Sequence, residues 1–146
     1  MPSNRVIEFY QSESFAILGL SQKKKNFAWS IYKAMMKLGK TIFPIHPDGG
    51  VSQDVQFYRS LDGTDKIPEA VIVCLNLDKA NGLLERLRDS GITKIWFQQG
   101  SHKAEHMEKA RKLGLDPITG CALMYMPGTS LLHRIHGFFH ERFTKG

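Results

Sequence analysis

Two cysteines, Cys74 and Cys121, are all that the 146-residue chain carries. That is too few for a disulfide framework and sets a reducing, cytoplasmic compartment as the expectation. No apolar stretch approaches the roughly 20 residues that a membrane helix requires, so no membrane partner is expected. The opening MPSNRVIEFYQSES lacks the apolar core of a secretory signal. Acidic residues are short as well, 14 against 20 Lys and Arg, for a formal net charge of +6. The excess is local: Lys23 to Lys25 supply +3 and residues 130–146 a further +2. A chain that is not basic throughout disfavours nucleic acid and favours a small phosphorylated ligand at one patch.

What is present is a regular alternation. Residues 15–18 form an apolar run stopped by Gly19, which predicts a fully buried strand. Phe27, Ile31, Met35 and Leu38 recur at helical spacing up to Gly39, a C-terminal cap. Residues 41–45 form the second strand, with Pro44 pointing to an exposed or irregular end. Residues 46–50, HPDGG, are turn chemistry, and the following stretch to 69 reads as one weak strand or helical turn and loop. Residues 70–75 are the third clear strand. A helix capped by Asp78 and closed by Gly91 follows. Residues 94–97 are a strand, Ser101 caps a helix closed by Gly114, and 116–121 are a last short strand. Residues 4–12 suit a leading helix.

This alternation predicts an α/β fold: a doubly wound, mostly parallel Rossmann-like sheet of about five strands with helices on both faces. Residues 1–146 read as one domain, with 130–146 a C-terminal amphipathic helix through which a homodimer could form. Ligands of such sheets bind beyond the carboxyl ends of the strands, where the winding reverses.

The loop after the first strand, GLSQKKKNF, then gains meaning. The first strand-to-helix turn aims amides and the positive end of the helix dipole at the crevice. Lysines there supply counter-charge to a phosphate, and Ser21 offers a hydroxyl. The alternative is a solvated turn with its ammonium groups in water. The dinucleotide fingerprint is missing, since Gly19-Leu20-Ser21 has no second or third glycine in register and no acid ends the second strand. NAD is disfavoured on that ground. No G-K-[ST] follows the glycine, so the P-loop is absent too.

The segment AILGLSQKKKNFAWSIYKAMMKLGKTIFPIHP resembles the opening of the small stand-alone coenzyme A-binding proteins, whose Rossmann-type domain is similar to the nucleotide-binding domain of succinyl-CoA synthetase. Gly19, Ser21, Lys25, Phe27, Ser30, Pro44 and Pro47 match that family's pattern. Tyr58, Ser60, Leu61, Ile67, Pro68, Gln99, Gly100 and Cys121 follow in order, over about residues 13 to 140. Ala28 stands where the family has Gly, His46 where it has Asn, Leu75-Asn76 where many members have Thr-Pro, and Ala122 where it has Pro. The resemblance implies that the chain binds coenzyme A or an acyl-CoA. On that basis Gly19, Leu20 and Ser21 receive the pyrophosphate with Lys25, and Lys23 or Lys24 supports a phosphate. Phe27 at the helix start is a further cofactor-binding residue, His46, Pro47 and Asn76 line the nucleotide, and Gln99 and Gly100 lie near the pantetheine exit. The absence of an acid at residues 45–47 suits the 3′-phosphate.

Other constellations weigh less. His133, His136 and His140 share one helix side, yet no carboxylate or cysteine accompanies them, and no metal is expected. Free cysteines are commonly inert core residues. Asp48, Asp54, Asp62, Asp65 and Asp78 are of turn or cap type, so no catalytic pair is evident. Phe57, Tyr58 and Trp96 suit core packing better than base stacking. The expectation is a carrier, sensor or regulatory module without evident catalysis. The rivals are a nicotinamide-dependent oxidoreductase or thiol enzyme using Cys121, and an interaction module whose nucleotide site has decayed.

Overall fold

The computed structural model describes residues 4–79 and 82–126. The expected tail helix, its three histidines and the dimer through it lie outside those residues. Among the described residues four α-helices, α1 (Asn4–Gln11), α2 (Phe27–Lys37), α3 (Leu83–Asp89) and α4 (Ala104–Lys112), accompany seven strands. The strands are β1 (Ser14–Leu18), β2 (Thr41–Ile45), β3 (Gly50–Ser52), β4 (Val55–Phe57), β5 (Ala70–Val73), β6 (Lys94–Gln98) and β7 (Asp116–Gly120). Five of them form one parallel sheet in the order β2-β1-β5-β6-β7. The fold is the doubly wound Rossmann-like α/β architecture that the alternation predicted.

The strand sequences are apolar without alternation because both faces of the sheet are covered. Side chains of one strand point to opposite faces, and the two cores sort accordingly. Phe15, Ile17, Ala70, Ile72 and Trp96 pack with Val6, Phe9 and Tyr10 of α1 and Trp29, Ile31 and Met35 of α2. Ala16, Leu18, Val71, Val73, Ile95 and Phe97 pack with Leu83, Leu84 and Leu87 of α3 and Ala110 of α4. Each large side chain fully buried here stabilises the fold by about 1.5–3 kcal/mol. Phe57 and Trp96 are in the first core, as expected of packing aromatics.

Helices α2, α3 and α4 end alike. The N–H of Gly39, Gly91 and Gly114 returns to Met36, Arg88 and Arg111, and the next residue's N–H to Met35, Leu87 and Ala110. The buried Ile92 and Leu115 add the apolar contact of that motif. Helix starts differ from expectation. Asp78 lies in a 3-10 turn, Leu77–Lys79, and α3 begins after Gly82. Ser101 does not cap α4, whose N-cap is Lys103; its hydroxyl donates instead to the Gln98 carbonyl at 2.6 Å.

Two further differences concern residues 44–58. Pro44 is buried within β2 rather than at a frayed end. β2 is an edge strand, and the side of Pro44 that lacks an N–H faces Tyr58, whose N–H donates to the Pro44 carbonyl at 2.9 Å. The ladder to β1 therefore loses nothing. The segment read as a weak strand and loop holds an antiparallel hairpin, β3 with β4.

α2 carries the chain from β1 to β2 across one face, while α3 and α4 run β5 to β6 to β7 across the other, so the winding reverses between β1 and β5. Gly19 is the residue at that junction. Its φ of +114° is foreign to residues with a side chain. A Cβ there would sit 2.8 Å from the Cys74 carbonyl carbon and 2.9 Å from the Leu75 nitrogen. Substituting Gly19→Ala is expected to lower the unfolding free energy by about 2–4 kcal/mol, measured as a fall in the urea midpoint at constant slope.

Candidate functional site

The carboxyl edge of the sheet gathers the residues singled out from sequence. Gly19 to Phe27 follow β1, His46 and Pro47 follow β2, Asn76 follows β5, and Gln99 and Gly100 follow β6. β2, β1, β5 and β6 are successive neighbours, so these loops line one continuous edge centred on the junction at Gly19.

The lysine loop is built by side chains bonding to backbone. The Ser21 hydroxyl accepts the N–H groups of Lys23 at 3.2 Å and Lys24 at 3.3 Å. Asn26, the N-cap of α2, spends its side chain on the loop: its amide donates to the Gly19 carbonyl at 2.7 Å and makes no cap bond to the helix. From α2, the Trp29 indole N–H donates to the Ser21 carbonyl at 2.9 Å. The β3–β4 hairpin closes the other side: Gln53 donates to the same carbonyl at 3.2 Å and the Ser52 hydroxyl to the Gln22 carbonyl at 2.8 Å. Gln22 returns a bond to the Gly49 carbonyl at 2.8 Å.

The three lysines are exposed, and no described carboxylate pairs with them. Lys25 places its ammonium 5.6 Å from the centre of the Trp29 ring. Between Glu13 and Asp48 the chain has six lysines and no acidic residue. The charge of this loop is therefore uncompensated from within, while its backbone is held firmly.

Individual residues contribute differently. Leu20 is buried in the α1–α2 core, so only its backbone faces the loop. Phe27 is 40% exposed at the start of α2. Ala28 turns its methyl into the core at 2% exposure, so the departure from glycine costs the loop no space. His46 is fixed in its turn: its Nδ1 accepts the Asp48 N–H at 3.1 Å, its backbone N–H donates to the Tyr58 carbonyl, and its ring meets Phe57 edge-on. Asn76 caps its own turn by accepting the Asp78 N–H at 2.9 Å. Gln99 is exposed; the buried glutamine is Gln98, whose Oε1 accepts the Ala122 N–H at 2.8 Å. A proline at 122 would have no N–H for that bond. Gln22, Ser52, Gln53 and Gln98 carried no recognisable motif, because each acts through a distant backbone group.

Neither cysteine has a disulfide partner among the described residues. Cys74 follows β5 directly, beside Gly19, and burial, with Cys121 second, pushes its thiol up to about 12. Burial likewise holds the Tyr10 phenol above its usual range, and its O–H donates to the Ala122 carbonyl at 2.6 Å. At the β5 and β6 loops, Asp78 receives Lys103 Nζ at 2.7 Å and His106 Nε2 at 3.4 Å. The Lys103 hydrogen bond holds the Asp78 carboxyl below its ordinary range. Asp78, Glu105 and His106 bring potential ligand atoms within 4.8 Å of one another. Yet His106 Nδ1 accepts the Lys103 N–H at 2.9 Å, so Nε2 carries the proton. A metal there would have to displace both that proton and the Lys103 ammonium; the cluster is an ionic latch between two loops. A cavity of about 350 Å³ lined by Leu61, Ile67, Arg86 and Ile92 lies at the opposite, amino-terminal edge.

Fold and site together define a Rossmann-like domain with a cationic loop at its switch point. The profile of the CoA binding domain family matches residues 13–127, and the chain belongs to that family. Among solved structures it is similar to a hypothetical protein from Pyrococcus horikoshii OT3, at 20% identity over 86% of this chain and 89% of that one, TM-score 0.75. A cell-free-produced protein from Thermus thermophilus is similar at 16% identity over 85% and 95%, TM-score 0.72. A conserved hypothetical protein from Pyrococcus furiosus is similar at 20% identity over 73% and 92%, TM-score 0.65. These likenesses show the fold. No curated protein matches the chain. Among the described residues no helix is long and apolar enough to cross a membrane.

The raised Cys74 thiol makes stability depend on pH. Stability tied to a raised thiol is complete below its unfolded value, 9.0, and declines as pH climbs toward 12. At pH 8, iodoacetamide is expected to leave Cys74 of the folded protein unmodified while labelling it fully in denaturant, read by peptide mass spectrometry.

Proposed function

We propose that the chain binds coenzyme A or an acyl-CoA through the loop between β1 and α2, and serves as a carrier, sensor or regulatory module rather than as a catalyst. Family membership supports the ligand class. The observation that carries the assignment of the site is the Lys23–Lys25 triplet, exposed and without a described carboxylate partner, beside the Gly19 junction.

The donor set fits the cofactor. Coenzyme A has a pyrophosphate and a 3′-phosphate, and a helix start preceded by lysines attracts both. The backbone of Gly19 to Ser21 would receive the pyrophosphate with Lys25, and Lys23 or Lys24 the other phosphate. The Ser21 hydroxyl oxygen already accepts two amides, which assigns it to shaping the loop, with its proton still available to a phosphate oxygen. His46, Pro47 and Asn76 would border the nucleotide, and Gln99 and Gly100 the pantetheine. A carboxylate at the tip of β2 would repel the 3′-phosphate, and the strand ends instead in Ile45-His46-Pro47. The cofactor, when bound, brings a thiol or thioester; the protein's part is to hold and orient it.

Calorimetric titration with coenzyme A, dephospho-coenzyme A and NADH tests this. Coenzyme A is expected to bind more tightly than the dephospho form by about tenfold, the equivalent of about 1.4 kcal/mol, with NADH weaker still. Lys25→Glu is expected to weaken coenzyme A by about tenfold or more. Equal affinity for the first two ligands would remove the 3′-phosphate contact, and binding of NADH alone would favour an oxidoreductase.

A further inference from the structure

The turn joining β3 to β4 consists of Gln53 and Asp54, with φ of +52° and +66°. Two-residue hairpin loops of this hand favour Asn-Gly or Gly-Gly, since both positions are left-handed. Asp54 belongs to the residue types that tolerate the left-handed region, but Gln53 does not, and a Gln held there is strained. The strain has a visible counterpart. Gln53 Nε2 reaches out of the hairpin to the Ser21 carbonyl, which also takes the Trp29 indole N–H. Both acceptor positions of that oxygen are thus filled, one from α2 and one from the hairpin. Because the peptide is planar and trans, the Gln22 N–H must point opposite the Ser21 carbonyl. That N–H therefore turns away from the hairpin, and no described group accepts it. The next peptide is held in the same way, by Ser52 on the Gln22 carbonyl.

We infer that Gln53 is a positioning residue for the ligand site: through the Ser21 carbonyl it locks the Ser21–Gln22 peptide so that the Gln22 amide is presented to a phosphate oxygen of the bound nucleotide. The inference rests on the coenzyme A reading for the identity of the anion. The local strain at Gln53 is retained because a glycine would make the better turn but leave the carbonyl half-held.

Stability and binding then move in opposite directions, which a merely structural role would not produce. Gln53→Gly is expected to leave Tm unchanged or raise it, while weakening coenzyme A by about fivefold or more in calorimetry. Gln53→Asn, which tolerates the turn but is one methylene too short, is expected to lose affinity likewise. Asp54→Gly, which relieves the same turn, is expected to keep wild-type affinity. In the ligand-free Gln53→Gly protein the amides of Lys23 and Lys24, which bond the Ser21 hydroxyl, are expected to exchange faster with deuterium although the fold is no less stable. Wild-type affinity in Gln53→Gly or Gln53→Asn overturns the inference, as does unchanged exchange of those amides. If the wild-type protein fails to bind coenzyme A, the functional proposal falls, and the exchange measurement still decides whether Gln53 locks the loop.

Discussion

The close approach of Gly19 to the exit of β5 is the contact on which the rest of the site depends. Two neighbouring parallel strands end side by side, and one chain must turn away from the other within a single residue. A side chain at that point would overlap the Cys74 carbonyl carbon and the Leu75 nitrogen. With only hydrogen there, the β1 loop can lie directly over the end of β5, and the Cys74 N–H can bond the Leu18 carbonyl at 2.7 Å. That proximity creates the crevice at the reversal of winding and brings the lysine loop into it.

Around this junction the protein separates rigidity from charge. The backbone from Gly19 to Asn26 is held by bonds from Ser21, Asn26, Trp29, Ser52 and Gln53. Lys23 and Lys24 are exposed beyond it, and Lys25, also exposed, carries its ammonium over the Trp29 ring. Their mutual repulsion is weak there, since water screens charges separated by more than about 10 Å and softens nearer ones. The arrangement is therefore tolerable without a counter-charge from the protein. Uncompensated lysines on a pre-set loop need little reordering to bind, and reordering is a main cost of binding.

The loops of β5 and β6 follow the same economy. Asp78 is used twice, by Lys103 and by His106, and Gln98 ties the end of β6 to the turn after β7. Each link joins backbone segments that the sheet already places next to one another. The exposed ion pairs add little to stability; their effect is to limit how these loops arrange at the shared edge. The two cysteines sit on that edge as well, and Cys74, with its thiol kept protonated by burial, is built as part of the packing.

Much of this was legible before any coordinates. The apolar runs of β1, β5 and β6, the glycine stops at 39, 91 and 114, and the lysine cluster follow from periodicity and local backbone preference, which act within a few residues. The helix starts differ from expectation at Asp78 and Ser101 because each side chain has a competitor to capping: Lys103 and His106 for one, the Gln98 carbonyl for the other. The hairpin escaped notice because its strands have three residues each and its turn, Gln53-Asp54, lacks the usual glycine. The sequence by itself determined the alternation of strands and helices, the buried faces and the place of the positive charge. Strand order, the contact at Gly19 and the clamp on Ser21 were decided only by tertiary structure, since each joins residues that are far apart in the chain and meet only when the sheet has assembled.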